Sequence, residues 1–245
     1  MNTLSVIIPT FNEASYIEDA IKSVAFANEI IVIDSFSTDN TKNLAMNMGC
    51  IVLERKFDNF SNQKNHAIAT ARSNWILFID ADERVTEKLK IDILNSINSD
   101  YFGAYKIKFP HFYMNRFLYH SENKVIRLAK NKNLEFKGAV HEKLIHSGKV
   151  GILKNFMIHY TYKGLFNYIQ KKDSYAWFQA QMSLDKGKKA TIFHLAFKPF
   201  YRFFHSYVIR RGFIDGIPGL AVASIDAYGV FSRYVKMYLL QKNLK

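Results

Sequence analysis

The first hundred residues repeat one pattern: a short apolar run, a polar turn, then apolar residues at helical spacing. Residues 4–8 form a mostly apolar run that stops at Pro9, and Ile17, Ala20, Ile21 and Val24 follow at intervals of three and four. Residues 30–33 make a second run ending at Asp34, with Ser37 and Thr38 placed to cap a helix over 41–48 that Gly49 ends. A third run covers 51–53, and Ser61 is expected to cap a helix reaching Arg72. A fourth run, 75–79, ends at Asp80, and Thr86 caps a helix to about Asn98. Strands that alternate with helices are joined by crossovers, so they lie parallel and are covered on both faces. In such a sheet the ligand sits at the carboxyl ends of the strands.

Three of those ends are rich in polar groups. Pro9-Thr10-Phe11-Asn12-Glu13 follows the first strand, Asp34-Ser35-Phe36-Ser37-Thr38-Asp39 the second, and Asp80-Ala81-Asp82-Glu83 the fourth. Any one of them could be an ordinary turn or cap, but a parallel sheet brings all three to one rim. Asp80 and Asp82, one residue apart, can offer oxygen ligands to a hard cation such as Mg²⁺ or Mn²⁺. The alternative is that the acidic run solvates the strand end and favours the next helix N-terminus. No Gly-x-x-x-x-Gly-Lys-Ser/Thr loop and no Gly-x-Gly-x-x-Gly fingerprint occurs, which excludes a P-loop and the usual dinucleotide motif.

The charge is unevenly placed. The chain carries a net +13. Residues 1–150 hold 19 basic and 17 acidic residues, a net of +2, whereas 151–245 hold 15 and 4, a net of +11. The same last stretch has 20 of the 37 aromatic residues. A basic, aromatic region calls for an anionic partner. It reads as helical: 165–185 from Leu165, Tyr168 and Ile169, then 191–211 with seven aromatics among Lys198, Arg202, Arg210 and Arg211, then 220–240. Aromatic faces flanked by Lys and Arg suit a membrane interface, or they pack as a core with the cations exposed. No zinc or RNP-like motif is present, so nucleic acid is not the expected partner. The apolar window 212–231 contains Asp215 and Asp226, which argues against a membrane span. The N-terminal run reads as a strand and not a signal peptide. Cys50 is the single cysteine, so there is no internal disulfide. The expected division is 1–162, with 1–100 and 101–162 as its two parts, and a basic helical region, 163–245.

The ordered motifs at 4–13, 32–39 and 78–83 resemble the family 2 inverting glycosyltransferases. These have a GT-A fold, a Rossmann-like, mainly parallel α/β sheet, and use nucleotide-sugar donors. Gln63-Lys64-Asn65, the segment 136–144 and Arg210-Arg211-Gly212-Phe213-Ile214-Asp215-Gly216 resemble the lipopolysaccharide core β-1,4-glucosyltransferase branch. The resemblance implies that Thr10, Asn12 and Glu13 surround the nucleotide, that Asp34 meets the ribose or base, and that Asp39 meets the base edge. It implies Lys64 and Asn65 at the donor pocket, Asp80 at the ribose or donor sugar, and Asp82, with Asp80, at the metal. A UDP-sugar donor, a hexose (glucose first), a lipid-linked glycan acceptor and a cytoplasmic enzyme peripheral on the inner face of the plasma membrane follow from it. Another surface glycan is the nearest alternative. A sugar nucleotidyltransferase and a nucleic-acid-binding module are remoter ones.

Inverting transfer needs a base on the face of the sugar opposite the leaving group. Glu142 is the candidate, with His141 able to orient it or to meet the diphosphate. Glu142 could instead pair with Lys137 or Lys143 on a solvated edge. Asp82 and Glu83 are fallback bases. The remaining histidines, His159 among them, lack metal-ligand spacing and read as structural or acceptor-facing.

Overall fold

The computed structural model describes residues 2–99, 101–113, 116–138, 142–160 and 165–244. They form two compact units, Met1–Pro110 with Asn123–His159, and His111–Glu122 with Tyr160–Lys245. The segment His111–Glu122 thus groups with the helices beyond residue 160. The reason is visible at Leu118, 1% exposed, which packs with Tyr168, Val222 and Ile225.

The first unit is built on β1 (Leu4–Thr10), α1 (Ile17–Ser23), β2 (Glu29–Asp34), α2 (Thr41–Asn47), β3 (Ile51–Glu54), α3 (Phe60–Thr70), β4 (Trp75–Phe78), β5 (Glu83–Val85) and α4 (Glu87–Ser99). Then come β6 (Ala104–Tyr113), β7 (Arg116–Lys130), β8 (Glu135–Lys137), β9 (Lys143–Ile145) and β10 (Val150–His159). One sheet runs in the order β3-β2-β1-β4-β7-β6-β10-β5, and β8-β9 form a small second sheet. β3, β2, β1 and β4 are parallel, as the alternation predicts, and β7 adds to β4 antiparallel.

Alternate residues of a strand point to opposite sides, and in β1, β4 and the second half of β2 both sides are buried, while the edge strand β3 stays partly exposed. On one face Leu4, Val6, Ile8, Trp75 and Leu77 pack with Ile17, Ala20 and Ile21 of α1, Ala45 of α2, and Leu89, Ile93 and Ile97 of α4. On the other, Ile7, Ile31, Ile33, Ile76 and Phe78 pack with Ala67 of α3 and Phe136 of β8.

Local capping differs in part from expectation. Thr86 does cap α4, its hydroxyl accepting from Leu89 N at 3.2 Å. α3, however, is capped by Asn59, whose side chain accepts from Asn62 N at 2.9 Å, while Ser61 Oγ donates to Gly138 O. α2 has Asn40 at its N-cap, because Ser37 and Thr38 are drawn into the neighbouring loop described below.

The second unit holds α5 (Leu165–Asp185), α6 (Ile192–Phe204) and α7 (Gly216–Lys242). The expected helix over 191–211 ends early, at Phe204, and passes through a π turn, His205–Ile209, and a 3₁₀ turn, Gly212–Asp215. Arg211 takes φ 58° at this reversal. Gly219 packs so tightly there that a Cβ would fall 2.0 Å from the Gly212 carbonyl oxygen. α7 starts at Gly216, earlier than expected, because Pro218 falls in its first turn where no amide hydrogen is required. Asp226 of α7 joins the three helices: it pairs with Lys172 and Arg202, both at 2.6 Å, and accepts from Tyr168 OH at 2.9 Å. Burial works against its charge, but the two cations hold its carboxyl below the ordinary value.

Candidate functional site

The parallel register sets the carboxyl ends of β1, β2 and β4 side by side, and the loops that follow the first two are laced together. Asp34 is 0% exposed; it accepts from Thr10 Oγ1 at 2.9 Å, Ser37 N at 2.8 Å and Ser37 Oγ at 2.6 Å. Asn12, at φ 54°, donates from its backbone to Ser37 Oγ and accepts from Thr38 N, both at 2.8 Å. Glu13 N donates to Thr41 Oγ1 at 2.8 Å. Asp39 accepts from Ala14 N and Thr41 N at 3.0 Å, and from the Thr41 hydroxyl. Slight burial pushes its pKa up, but these hydrogen bonds outweigh it and hold it below the ordinary value. The rim at the two strand ends is therefore a braced shelf. Asp34 braces it from inside; Asn12, Glu13 and Asp39 lie nearer its surface.

The acidic turn after β4 is held by residues far away in sequence. β4 pairs Leu77 with Leu128, so Arg127 comes level with the strand end. Its Nη2 donates to Asp80 Oδ2 at 2.8 Å and to Glu83 Oε1 at 2.6 Å. Asp80 N closes the turn on Glu83 Oε2 at 2.9 Å. Desolvation alone would raise the Asp80 pKa, but the charge and hydrogen bond of Arg127 bring it well below the usual carboxylate range, with Lys64 adding to the effect. Glu83, 0% exposed, goes the other way. Burial raises its pKa to about 7, against the pull of Arg127 and with the help of Asp80's charge.

β5 pairs antiparallel with β10, matching Glu83 with His159. That register sets His159 Nε2 3.5 Å from Asp82 Oδ1. Burial depresses the His159 pKa, but the hydrogen bond and charge of Asp82, then Glu83 and Asp80, raise it overall. Mg²⁺ takes oxygen donors at about 2.0–2.1 Å, and the Asp82 carboxylate is a donor of that kind. Among the described residues no cluster of three or more His, Cys, Asp or Glu is arranged around a metal position. The Asp82 carboxylate, completed by substrate phosphates, nonetheless forms a donor set that Mg²⁺ or Mn²⁺ accepts, and the His159 imidazole beside it steadies that carboxylate. The second expected ligand, Asp80, has one oxygen held by Arg127.

On the other side of the turn, Lys64 Nζ donates to Glu142 Oε1 at 2.9 Å, and the ammonium lies 4.8 Å from the centre of the Phe136 ring. Lys64 therefore replaces Lys137 and Lys143 as the partner of Glu142. Because its charge is also felt at Asp80, Lys64 ties the candidate base to the acidic turn. Asn65 spends its amide on β8: Nδ2 donates to Phe136 O at 2.9 Å and Oδ1 accepts from Phe136 N at 2.7 Å. Gln63 braces the second strand end through Ser35 Oγ at 2.8 Å. His141 lies outside the described residues.

Sequence reading missed Arg127 and His159. Neither carries a local signal; each matters because strand register delivers it to the turn at 80–83.

Residues 5–160 match the model of Glycosyl transferase family 2. An uncharacterized glycosyltransferase of Rickettsia felis is 32% identical over 254 residues, spanning 97% of this chain and 90% of that protein. The lipopolysaccharide core biosynthesis glycosyltransferase LpsC of Rhizobium meliloti is 26% identical, spanning 94% and 93%. Among solved structures, glucosyl-3-phosphoglycerate synthase from Mycobacterium tuberculosis overlaps 44% of each chain at 23% identity with a TM-score of 0.40. The family match takes in all ten strands, so the three loaded strand ends and the turn that Arg127 and His159 hold lie on a GT-A-like sheet: the chain belongs to glycosyl transferase family 2 and is a glycosyltransferase.

Proposed function

We propose that the chain is an inverting, metal-dependent hexosyltransferase. It takes a sugar, glucose first, from a nucleotide-sugar donor, UDP-glucose first, and adds it to a lipid-linked glycan such as the lipopolysaccharide inner core. The observation that carries this reading is the Asp82–His159 pair at 3.5 Å beside a turn whose other carboxylates are already held by Arg127. The acceptor class rests on the likeness to LpsC, whose name places that protein in lipopolysaccharide core biosynthesis.

In this reading Asn12, Glu13 and Asp39 border the nucleotide, and Thr10 and Asp34 stiffen the shelf beneath it. Asp82, steadied by His159, would hold Mg²⁺ or Mn²⁺, and Asp80 would face the ribose or donor sugar. The cation would neutralise charge on the departing diphosphate. Lys64 adds a second positive charge on the same side, positioned by Phe136 and by the Asn65 clamp on β8. Glu142 takes the proton of the acceptor hydroxyl; a Lys64 drawn toward the diphosphate releases its carboxylate for that step. The enzyme works from the cytoplasmic side, at the membrane surface.

A thermal-shift screen of UDP-glucose with and without Mn²⁺ tests the reading. UDP-glucose is expected to stabilise the wild type only with the metal, and Asp82→Ala, folded to a similar melting temperature, is expected to lose the response. An equal response without metal, or in Asp82→Ala, would overturn it.

A further inference from the structure

We propose that α6 is an in-plane membrane anchor whose aromatic face enters the headgroup region of an anionic bilayer, while α7 stays on the protein side and does not cross. The proposal rests on the reading of the enzyme as one that meets a lipid-linked acceptor, and it assigns that meeting to particular residues.

α6 has a committed back and an uncommitted front. At the back, Arg202 Nη2 donates to Asp226 Oδ2 at 2.6 Å, the His194 ring stacks on Tyr234 at 5.0 Å, and Leu195 packs with Ala190 and Met237. These contacts to α7 and its surroundings fix the helix's rotation. At the front, Phe193, Phe197, Phe200 and Phe204 follow one another at steps of four, three and four, which is a single helical stripe. They are 56%, 57%, 69% and 43% exposed, and no residue of α6 is buried. With Tyr201 and Lys198 they line an open groove of about 400 Å³. Phe213, Ile214 and Ile217, also exposed, continue the apolar surface around the reversal into α7.

Charge selects the occupant. Lys186, Lys188 and Lys189 precede the helix, Lys198 lies within it, Arg210 and Arg211 follow it, and all six are exposed. No Asp or Glu occurs from 186 to 214. An apolar stripe inside a cationic frame fits anionic headgroups over acyl chains. A second copy of the chain would bring the same cations face to face.

α7 and the turn before it, Gly212–Lys242, are long and apolar enough to cross a membrane. The polar groups of α7 are spoken for inside its own unit. Asp226 holds Lys172 and Arg202, and Lys236 Nζ reaches both Asp173 Oδ1 and Asp173 O at 2.7 Å. Moving α7 into hydrocarbon would strand a carboxylate and an ammonium. The helix is the spine of the unit, and α6 is its membrane face.

The test is flotation of the full chain with phosphatidylcholine vesicles, with and without phosphatidylglycerol, in parallel with donor hydrolysis in solution. Wild type should float with the anionic vesicles. The variant F193S/F197S/F200S should lose at least about tenfold of the bound fraction, and K186Q/K188Q/K189Q should lose the preference for anionic lipid. Both should keep the wild-type rate of donor hydrolysis, which also reports that they fold. Undiminished flotation of the triple Phe variant would overturn the proposal. So would a wild type that stays soluble, or that dimerises through this face instead of floating. Protection of the C-terminal residues from protease added outside the vesicles would place α7 across the bilayer and would overturn it too. A wild type that floats but hydrolyses no donor supports the anchor and sinks the catalytic reading alone.

Discussion

β4 and α6 are both apolar, aromatic-bearing segments, and they meet opposite fates. All four residues of β4 are buried, whereas none of α6 is. The difference lies in their neighbours. Trp75, Ile76, Leu77 and Phe78 alternate between two faces that both have partners, α1 and α4 on one side and α3 and β8 on the other. Among the described residues the partners of α6 lie along its back, so the phenylalanines of its front stay outside. Hydrophobicity says that a segment avoids water; it does not say whether protein or lipid provides the shelter.

The comparison can be broken in several ways. The largest effect is expected at the chemistry that the buried sheet supports. Glu142→Gln should lower kcat by about 10²–10⁴-fold with little change in donor affinity, read in steady-state transfer assays; unchanged kcat would remove Glu142 as the base. Next comes the sheet itself. Phe78→Ala should cost about 3–5 kcal/mol of unfolding free energy, measured by urea denaturation. Arg127→Met should cost about 3–5 kcal/mol, because it leaves Asp80 and Glu83 facing each other without their cation.

A pH series sharpens the same corner. Glu83's folded pKa, about 7, stands above its ordinary 4.5. The folded state therefore keeps a proton that the unfolded chain releases, and stability from this group is full below about 4.5 and is lost as pH rises through about 7. Melting temperatures of wild type and Glu83→Gln should consequently diverge in favour of the variant between pH 5 and 8. A constant gap would show that Arg127 keeps Glu83 ionised throughout. The smallest effect belongs to the exposed helix: Phe200→Ala should change stability in solution by no more than about 0.5 kcal/mol. A loss comparable to that of Phe78→Ala would show that the α6 stripe is packed against protein after all.

What was legible in the sequence was whatever depends on near neighbours. The runs at 4–8 and 75–79, the helical spacing of Ile17, Ala20 and Ile21, and the Thr86 cap are set by residues a few positions apart, with periods of two and 3.6 that any reader can count. The three polar strand ends were legible for the same reason, since parallel strands joined by helices must end on one rim. Capping at α3 was harder. Asn59 and Ser61 can both cap, and the choice turned on Gly138 O, far along the chain, which Ser61 Oγ reaches.

The sequence by itself determined the alternating sheet, the acidic turn at 80–83, the candidate base at Glu142 and the basic, aromatic character of the last ninety-odd residues. Only the tertiary structure decided which groups meet there. The register of β7 on β4 brought Arg127 to Asp80 and Glu83. The pairing of β10 with β5 brought His159 to Asp82. The β8–β9 hairpin, laid against α3, brought Glu142 to Lys64. Each is a contact across tens of residues, and a shift of one position in strand register would turn the side chain to the other face. That dependence is why composition and spacing could name the acidic turn but not its partners, and why the apolar stripe of α6 could be seen in the sequence but its outward direction could not.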